Sequence, residues 1–111
     1  MNEFMLFFRW EKMPAFKPEQ YQESAKRWQD WLGGISAENK FVSNGKRLDT
    51  GGNVLRPNNV VTDGPFVEIK ETLFSYMVIK ADDYAEAVSI AKGCPALKDG
   101  GSVEVRKVIT G

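Results

Sequence analysis

The chain opens on Phe4-Met5-Leu6-Phe7-Phe8-Arg9-Trp10, where a period-two alternation is masked because both sets of positions are apolar. Phe4, Leu6, Phe8 and Trp10 fall on one face of the strand this predicts, with Met5 and Phe7 on the other, so the strand needs cover on both sides. After Met13-Pro14, Pro18 takes a first helical position, and Tyr21, Ala25, Trp28, Leu32 and Ile35 recur at spacings of four and three along one helix face. Gly33-Gly34 interrupts that helix at a cost of about 1 kcal/mol each relative to alanine. Ile35 nevertheless keeps the register, so the helix is expected to reach Glu38, with Asn39 as a left-handed cap. Trp28 fits the core, and Trp31 its edge, at a subunit boundary.

Phe41 to Leu48 reads as a second strand weakened by Asn44-Gly45, after which Gly51-Gly52 turns the chain. Val54-Leu55-Arg56, the turn-forming Pro57-Asn58-Asn59 and Val60-Val61-Thr62 predict a short hairpin, closed by a tight turn over Thr62-Asp63-Gly64-Pro65-Phe66. Leu73 to Lys80 is a second strand apolar on both faces: Phe74, Tyr76 and Val78 against Leu73, Met77 and Ile79. Asp83 and Glu86 have capping-box spacing at the start of a helix whose apolar face is Tyr84, Ala87, Val88 and Ala91, ended by Gly93 and Pro95. Gly100-Gly101 leads into an amphipathic last strand, Ser102 to Ile109, in which Val103 and Val105 alternate with Glu104 and Arg106. Their expected role is a cross-strand or dimer-rim ion pair.

Two βαβ-like halves, with the small hairpin inserted in the first, predict a single domain over residues 1–111 of the α+β class. The expected architecture is ferredoxin-like: an antiparallel sheet with two helices on one face. Its first and third main strands are central, matching the two segments that are apolar front and back. Helices on one face leave the other uncovered, and a second copy of the same sheet is the economical cover, which predicts a homodimer.

Composition narrows the functional classes. Fifteen Lys plus Arg balance fifteen Asp plus Glu, so no bulk field draws in nucleic acid or an anionic membrane surface. No stretch approaches the roughly 20 apolar residues needed to span a bilayer. Cys94 is the sole cysteine, so an intramolecular disulfide is excluded and a reducing cytoplasm is the expected location. The chain has no histidine, which argues against catalytic triads, zinc sites and histidine-ligated haem. No metal and no cofactor is expected, and proton chemistry would fall to carboxylates, Lys, Tyr or the substrate. Neither Gly51-Gly52 nor Gly100-Gly101 has the context of a phosphate loop. Cys94, between Gly93 and Pro95 just after a helix, lacks a histidine partner and is a poor candidate for a nucleophile.

Thr62-Asp63-Gly64-Pro65-Phe66, followed by Glu68, Lys70 and Glu71, resembles the signature of the YCII-related proteins of the DGPF subgroup. The Phe-rich first strand, the Trp-bearing helix, the Asp82-Asp83 helix start and the closing Gly101-Ser102-Val103-Glu104-Val105-Arg106 strand extend the likeness over nearly the whole chain. The resemblance implies the dimeric α/β barrel architecture, shared with small cofactor-free monooxygenases, lactone isomerases and haem-dependent relatives. It does not carry an activity, because fold does not fix function. Some relatives are suspected of using a His and Asp pair, of which this chain keeps only an Asp. Others are encoded beside, or fused to, sigma factors of the extracytoplasmic-function class, which implies a regulatory association.

Asp63 is the candidate catalytic residue. Its side chain either caps backbone N–H groups in an Asx turn, or is presented by the rigid Gly64-Pro65 turn into a pocket where desolvation makes it a general acid or base. Phe66 either plugs the core or lines a ligand pocket, and Glu68, Lys70 and Glu71 either sit on a solvated turn or orient a polar substrate. Arg9 and Trp10 would hold an anionic or aromatic ligand by charge-assisted hydrogen bonding and stacking, against the plainer alternative of a packed Trp10 beside a partly exposed Arg9. Two functions follow as expectations: a small-ligand-binding or regulatory module, or a cofactor-independent enzyme that moves a proton with Asp63.

Overall fold

Strand β1 runs from Asn2 to Trp10, and its burial alternates residue by residue. Phe4, Leu6, Phe8 and Trp10 are buried, while Met5, Phe7 and Arg9 are half-exposed on the opposite side. The structure is a computed structural model, and it describes residues 1–12, 14–64 and 71–110. Helix α1 (Pro18–Ala37) begins with Pro18 at its first position and ends with Asn39 in the left-handed region at φ 58°, so Gly33 and Gly34 do not break it. Short strand β2 (Phe41–Ser43) follows, then the hairpin β3 (Asn53–Arg56) and β4 (Val60–Asp63). Strand β5 (Thr72–Ala81), helix α2 (Tyr84–Ala91) and strand β6 (Ser102–Lys107) complete the order.

The main sheet has the order β2-β5-β1-β6, and every pairing in it is antiparallel. With both helices against one side, this is the expected α+β ferredoxin-like arrangement, and the two strands apolar on both faces are the central ones. The hairpin β3–β4 forms a separate two-stranded sheet. Strand β2 is shorter than its sequence suggested. Gly45, at φ 61°, lies so close to the Tyr76 carbonyl that any side chain there would collide with the backbone, and the chain meets β5 again only at the Arg47 to Ser75 bridge.

Strand β5 carries an irregularity the pattern does not announce. Between Phe8 and Arg9 the register slips, so that Phe8 faces Ser75, Arg9 faces Leu73 and Trp10 faces Thr72. The extra residue, Phe74, packs against the core with its ring 5.8 Å from that of Trp10, edge to face, and Leu73 shares the rear side with Arg9. The sequence assignment of Phe74 to one face with Tyr76 and Val78 is thus reversed at the bulge.

The helix layer is pinned by aromatic geometry. Trp28 and Trp31 both pack edge to face with Phe8, at 5.4 and 6.3 Å. The Trp31 indole N–H donates to the Ile90 carbonyl at 3.0 Å, fastening α1 to α2, and the ring is partly buried at the edge of the core. The buried face of α1 starts at Ser24, whereas Tyr21 is 57% exposed and rests on Phe16. At α2, Asp83 accepts from the Glu86 N–H at 2.9 Å, the cap its spacing called for. Tyr84 lies across Phe4, and its hydroxyl accepts from the Lys107 N–H, tying the exposed start of α2 to β6. Lys40 bridges to Glu86 at 3.2 Å and Glu38 at 3.5 Å, which raises the pKa of its ammonium, chiefly through the hydrogen bond to Glu86.

Two close approaches make this layer sensitive. A Cβ on Gly101 would fall 2.6 Å from the buried Trp10 ring, whereas one on Gly33, out on α1, meets nothing within 4 Å. Cys94 is 2% exposed, and burial pushes its thiol up from an ordinary 9.0 to about 12, with the Ala96 backbone opposing and the Asp99 charge reinforcing the shift.

Replacing Gly101 by Ala is therefore expected to cost about 1–3 kcal/mol through overpacking, while Gly33→Ala gains about 0.5–1 kcal/mol from helix propensity; urea denaturation measures both. Cys94 should resist a thiol reagent in the native protein and react at once in denaturant. Because its folded-state pKa is raised, its contribution to stability is full below about pH 9 and is lost as pH climbs through about 12. Comparing wild type with Cys94→Ala across that window should show the steeper decline in wild type.

Candidate functional site

Adjacent residues on a strand point to opposite sides, and this separates Arg9 from Trp10. Trp10 enters the helix-covered layer at 6% exposure, between Phe74 and Gly101, and its indole nitrogen has no hydrogen-bond partner among the described residues. Arg9 lies on the rear of the sheet. Its guanidinium pairs with Glu104 on the neighbouring strand and sits 5.6 Å from the centre of the Phe7 ring. The plain reading of these two residues, a packed Trp and a partly exposed Arg, describes their geometry, and the alternation of Glu104 with Val103 and Val105 puts the carboxylate where the cross-strand pair needs it.

The rear face is built by register. Across β5, β1 and β6, Leu73, Arg9 and Ser102 form one row, Tyr76, Phe7 and Glu104 the next, and Val78, Met5 and Arg106 the third. Glu71 stands at the start of β5, and its carboxylate accepts from the Ser102 hydroxyl at 2.8 Å. Sequence reasoning placed Glu71 on a solvated turn. It is half-buried instead, and only the pairing of β1 with β6 brings Ser102 to it. The result is an apolar column, Met5, Phe7, Leu73, Tyr76 and Val78, bordered on the β6 side by Ser102, Glu104 and Arg106. One end of the column therefore carries a cation held by a carboxylate and stacked on a ring, which is a chemistry suited to a small anion or a planar polar group.

Asp63 lies elsewhere. It is the last residue of β4, opposite Asn53, and it is exposed. Gly64 follows in the left-handed region at φ 79°, as a tight turn requires. The chain then runs to Glu71 through residues 65–70, so Phe66, Glu68 and Lys70 lie outside the described residues.

Other chemistry is sparse among the described residues. Cys94 is buried with a thiol held protonated at neutral pH, which removes it as a nucleophile. No group of three or more His, Cys, Asp or Glu side chains is arranged to hold a metal, and no helix is long and apolar enough to cross a membrane. An open depression on the surface of α1 is lined by Glu23, Lys26, Arg27 and Asp30, all charged residues.

No curated protein matches the chain. A family model does: the YCII-related domain matches residues 5–110, nearly the full length, and the chain belongs to that family.

Proposed function

We propose that two copies of the chain pair through the rear of the four-stranded sheet as a dimeric α/β barrel, and that this assembly binds a small ligand or serves a regulatory role. The observation that carries this is the uncovered face itself: five apolar side chains on the two central strands with no helix packed over them among the described residues. The overall dimensions support it. The chain extends 47 × 45 × 19 Å, a plate one sheet and one helix layer thick. Its accessible surface is 7828 Å², against about 6,200 Å² for a compact monomer of this mass. The excess, roughly 1,600 Å², is about twice what one partner contributes to a standard interface. A second copy suits the face because the chain carries no net charge and so meets no bulk self-repulsion.

Arg9, on Phe7 and paired with Glu104, would lie between the paired sheets and receive the anionic or planar end of a small ligand. A binding role is favoured over catalysis because Asp63, the candidate general acid or base, is exposed to solvent and not desolvated. The DGPF likeness nominates a sigma factor of the extracytoplasmic-function class as a protein partner, and a cofactor-independent reaction using Asp63 is the alternative.

Sedimentation at micromolar concentration should give a dimer, and Phe7→Asp should give a folded monomer; a wild-type monomer would overturn the barrel. A thermal-shift screen of small carboxylates and planar metabolites should find ligands that stabilise wild type and lose at least about tenfold in affinity with Arg9→Ala, in line with one charge-assisted contact. Turnover of such a ligand that Asp63→Asn abolishes would favour the enzyme instead.

A further inference from the structure

The rear face carries two charges that the chain leaves without an opposite partner. Arg9 and Glu104 neutralise each other across β1 and β6. Glu71 and Arg106 do not: among the described residues neither takes part in an ion pair. Register sets where they stand. Ser102, in the row of Leu73 and Arg9, donates its hydroxyl to the Glu71 carboxylate at 2.8 Å, which fixes a negative charge at that end of the column. Arg106 lies four residues further along β6, in the row of Val78 and Met5, so an exposed positive charge stands at the other end, about 13 Å away along the strand. Tyr76, Phe7 and Glu104 make the row between them.

A two-fold axis that brings two such faces together lies in the plane between them and runs either across the strands or along them. Run across the strands over the middle row, it lays the first row of one copy on the third row of the other. Arg106 of each copy then falls on Ser102 of the other, where the Glu71 carboxylate is held. In the same arrangement Leu73 meets Val78 and Phe7 meets Phe7, while Glu104 meets its counterpart with Arg9 of its own chain already on it. Run along β1, the axis lays each row on itself. Arg9 then faces Arg9, and Glu104 and Arg106 fall on Tyr76 and Val78 of β5. That orientation opposes like charges and covers Arg106 without an anion, both of which are costly.

We infer that the two copies pair with their strands antiparallel, selected by two symmetric Glu71 to Arg106 ion pairs, one at each end of the apolar column. The inference rests on the paired sheets proposed above and adds their orientation and the contact that chooses it. Ion pairs at a rim contribute little affinity. Their effect here is to exclude the parallel alternative.

Sedimentation of the full chain at low salt tests this by reversal of charge. Glu71→Arg sets a like charge against Arg106 at both ends and should raise the dimer dissociation constant at least about tenfold, and Arg106→Glu should do the same against Glu71. The double variant Glu71→Arg, Arg106→Glu restores both pairs with their signs exchanged and should return the constant to within about threefold of wild type. Glu71→Gln and Arg106→Gln give a second cycle with milder changes: each should weaken the dimer, and combining them should add nothing further. Single reversals that dimerise like wild type, a double reversal no tighter than the singles, or additive losses in the glutamine cycle would overturn the orientation and leave the paired sheets standing. A wild-type protein that stays monomeric at every concentration would bring down both readings.

Discussion

A single helix layer can shield one side of a sheet, and the two central strands of this chain are apolar on both. Every larger feature follows from that mismatch. The front is closed in the ordinary way, with Phe4, Leu6, Phe8, Met77 and Ile79 buried under α1 and α2. Each large apolar side chain taken out of water contributes about 1.5–3 kcal/mol, so the front holds the domain together. The rear column of Met5, Phe7, Leu73, Tyr76 and Val78 represents similar side chains left half-covered. The shape of the free chain, a plate 19 Å thick, is what half a sandwich looks like.

Rigidity on the covered side sets the positions of groups on the uncovered side. Trp10 is fixed by Phe74 and by the bare backbone of Gly101, and Trp31 by its hydrogen bond to Ile90. Since Arg9 is the residue before Trp10, locking the indole also locks the strand that aims the guanidinium to the rear. The Arg9 to Glu104 pair is partly exposed and contributes little stability by itself, of the order of 0–1 kcal/mol. Its value is orientation: it holds a cation on the Phe7 ring at one end of an apolar column.

Much of this architecture was legible in the chain, for physical reasons that also explain the gaps. The masked alternation of β1, the helix running through Gly33-Gly34 to Asn39, the Asp83 cap and the Pro57-Asn58-Asn59 turn are local, and each was read from neighbouring residues. The bulge at Phe74 was not, because a bulge exists only relative to the partner strand. Tyr21 and Ala25 have the spacing of a buried face but are exposed, and Ser24 takes the inward position in the stripe it forms with Trp28, Trp31 and Ile35. At the candidate site the same division holds. The Arg9 and Glu104 types were singled out, but their contact and the Glu71 to Ser102 hydrogen bond depend on register across three strands.

The position of Asp63 links the assembly to the chemistry. For a carboxylate to act as a general acid or base near neutral pH its pKa has to rise, and burial among apolar groups is the means this chain has to hand, with no histidine to share the task. In one chain Asp63 is exposed at the end of a hairpin whose Leu55, Val60 and Val61 also face water. Among the described residues no part of the core cluster closes over Asp63, and in the proposed dimer the low-dielectric surroundings would come from the second copy. The proposed dimer thus carries the functional question as well as the structural one: whether Asp63 is only a turn residue or a working carboxyl depends on whether the assembly covers it.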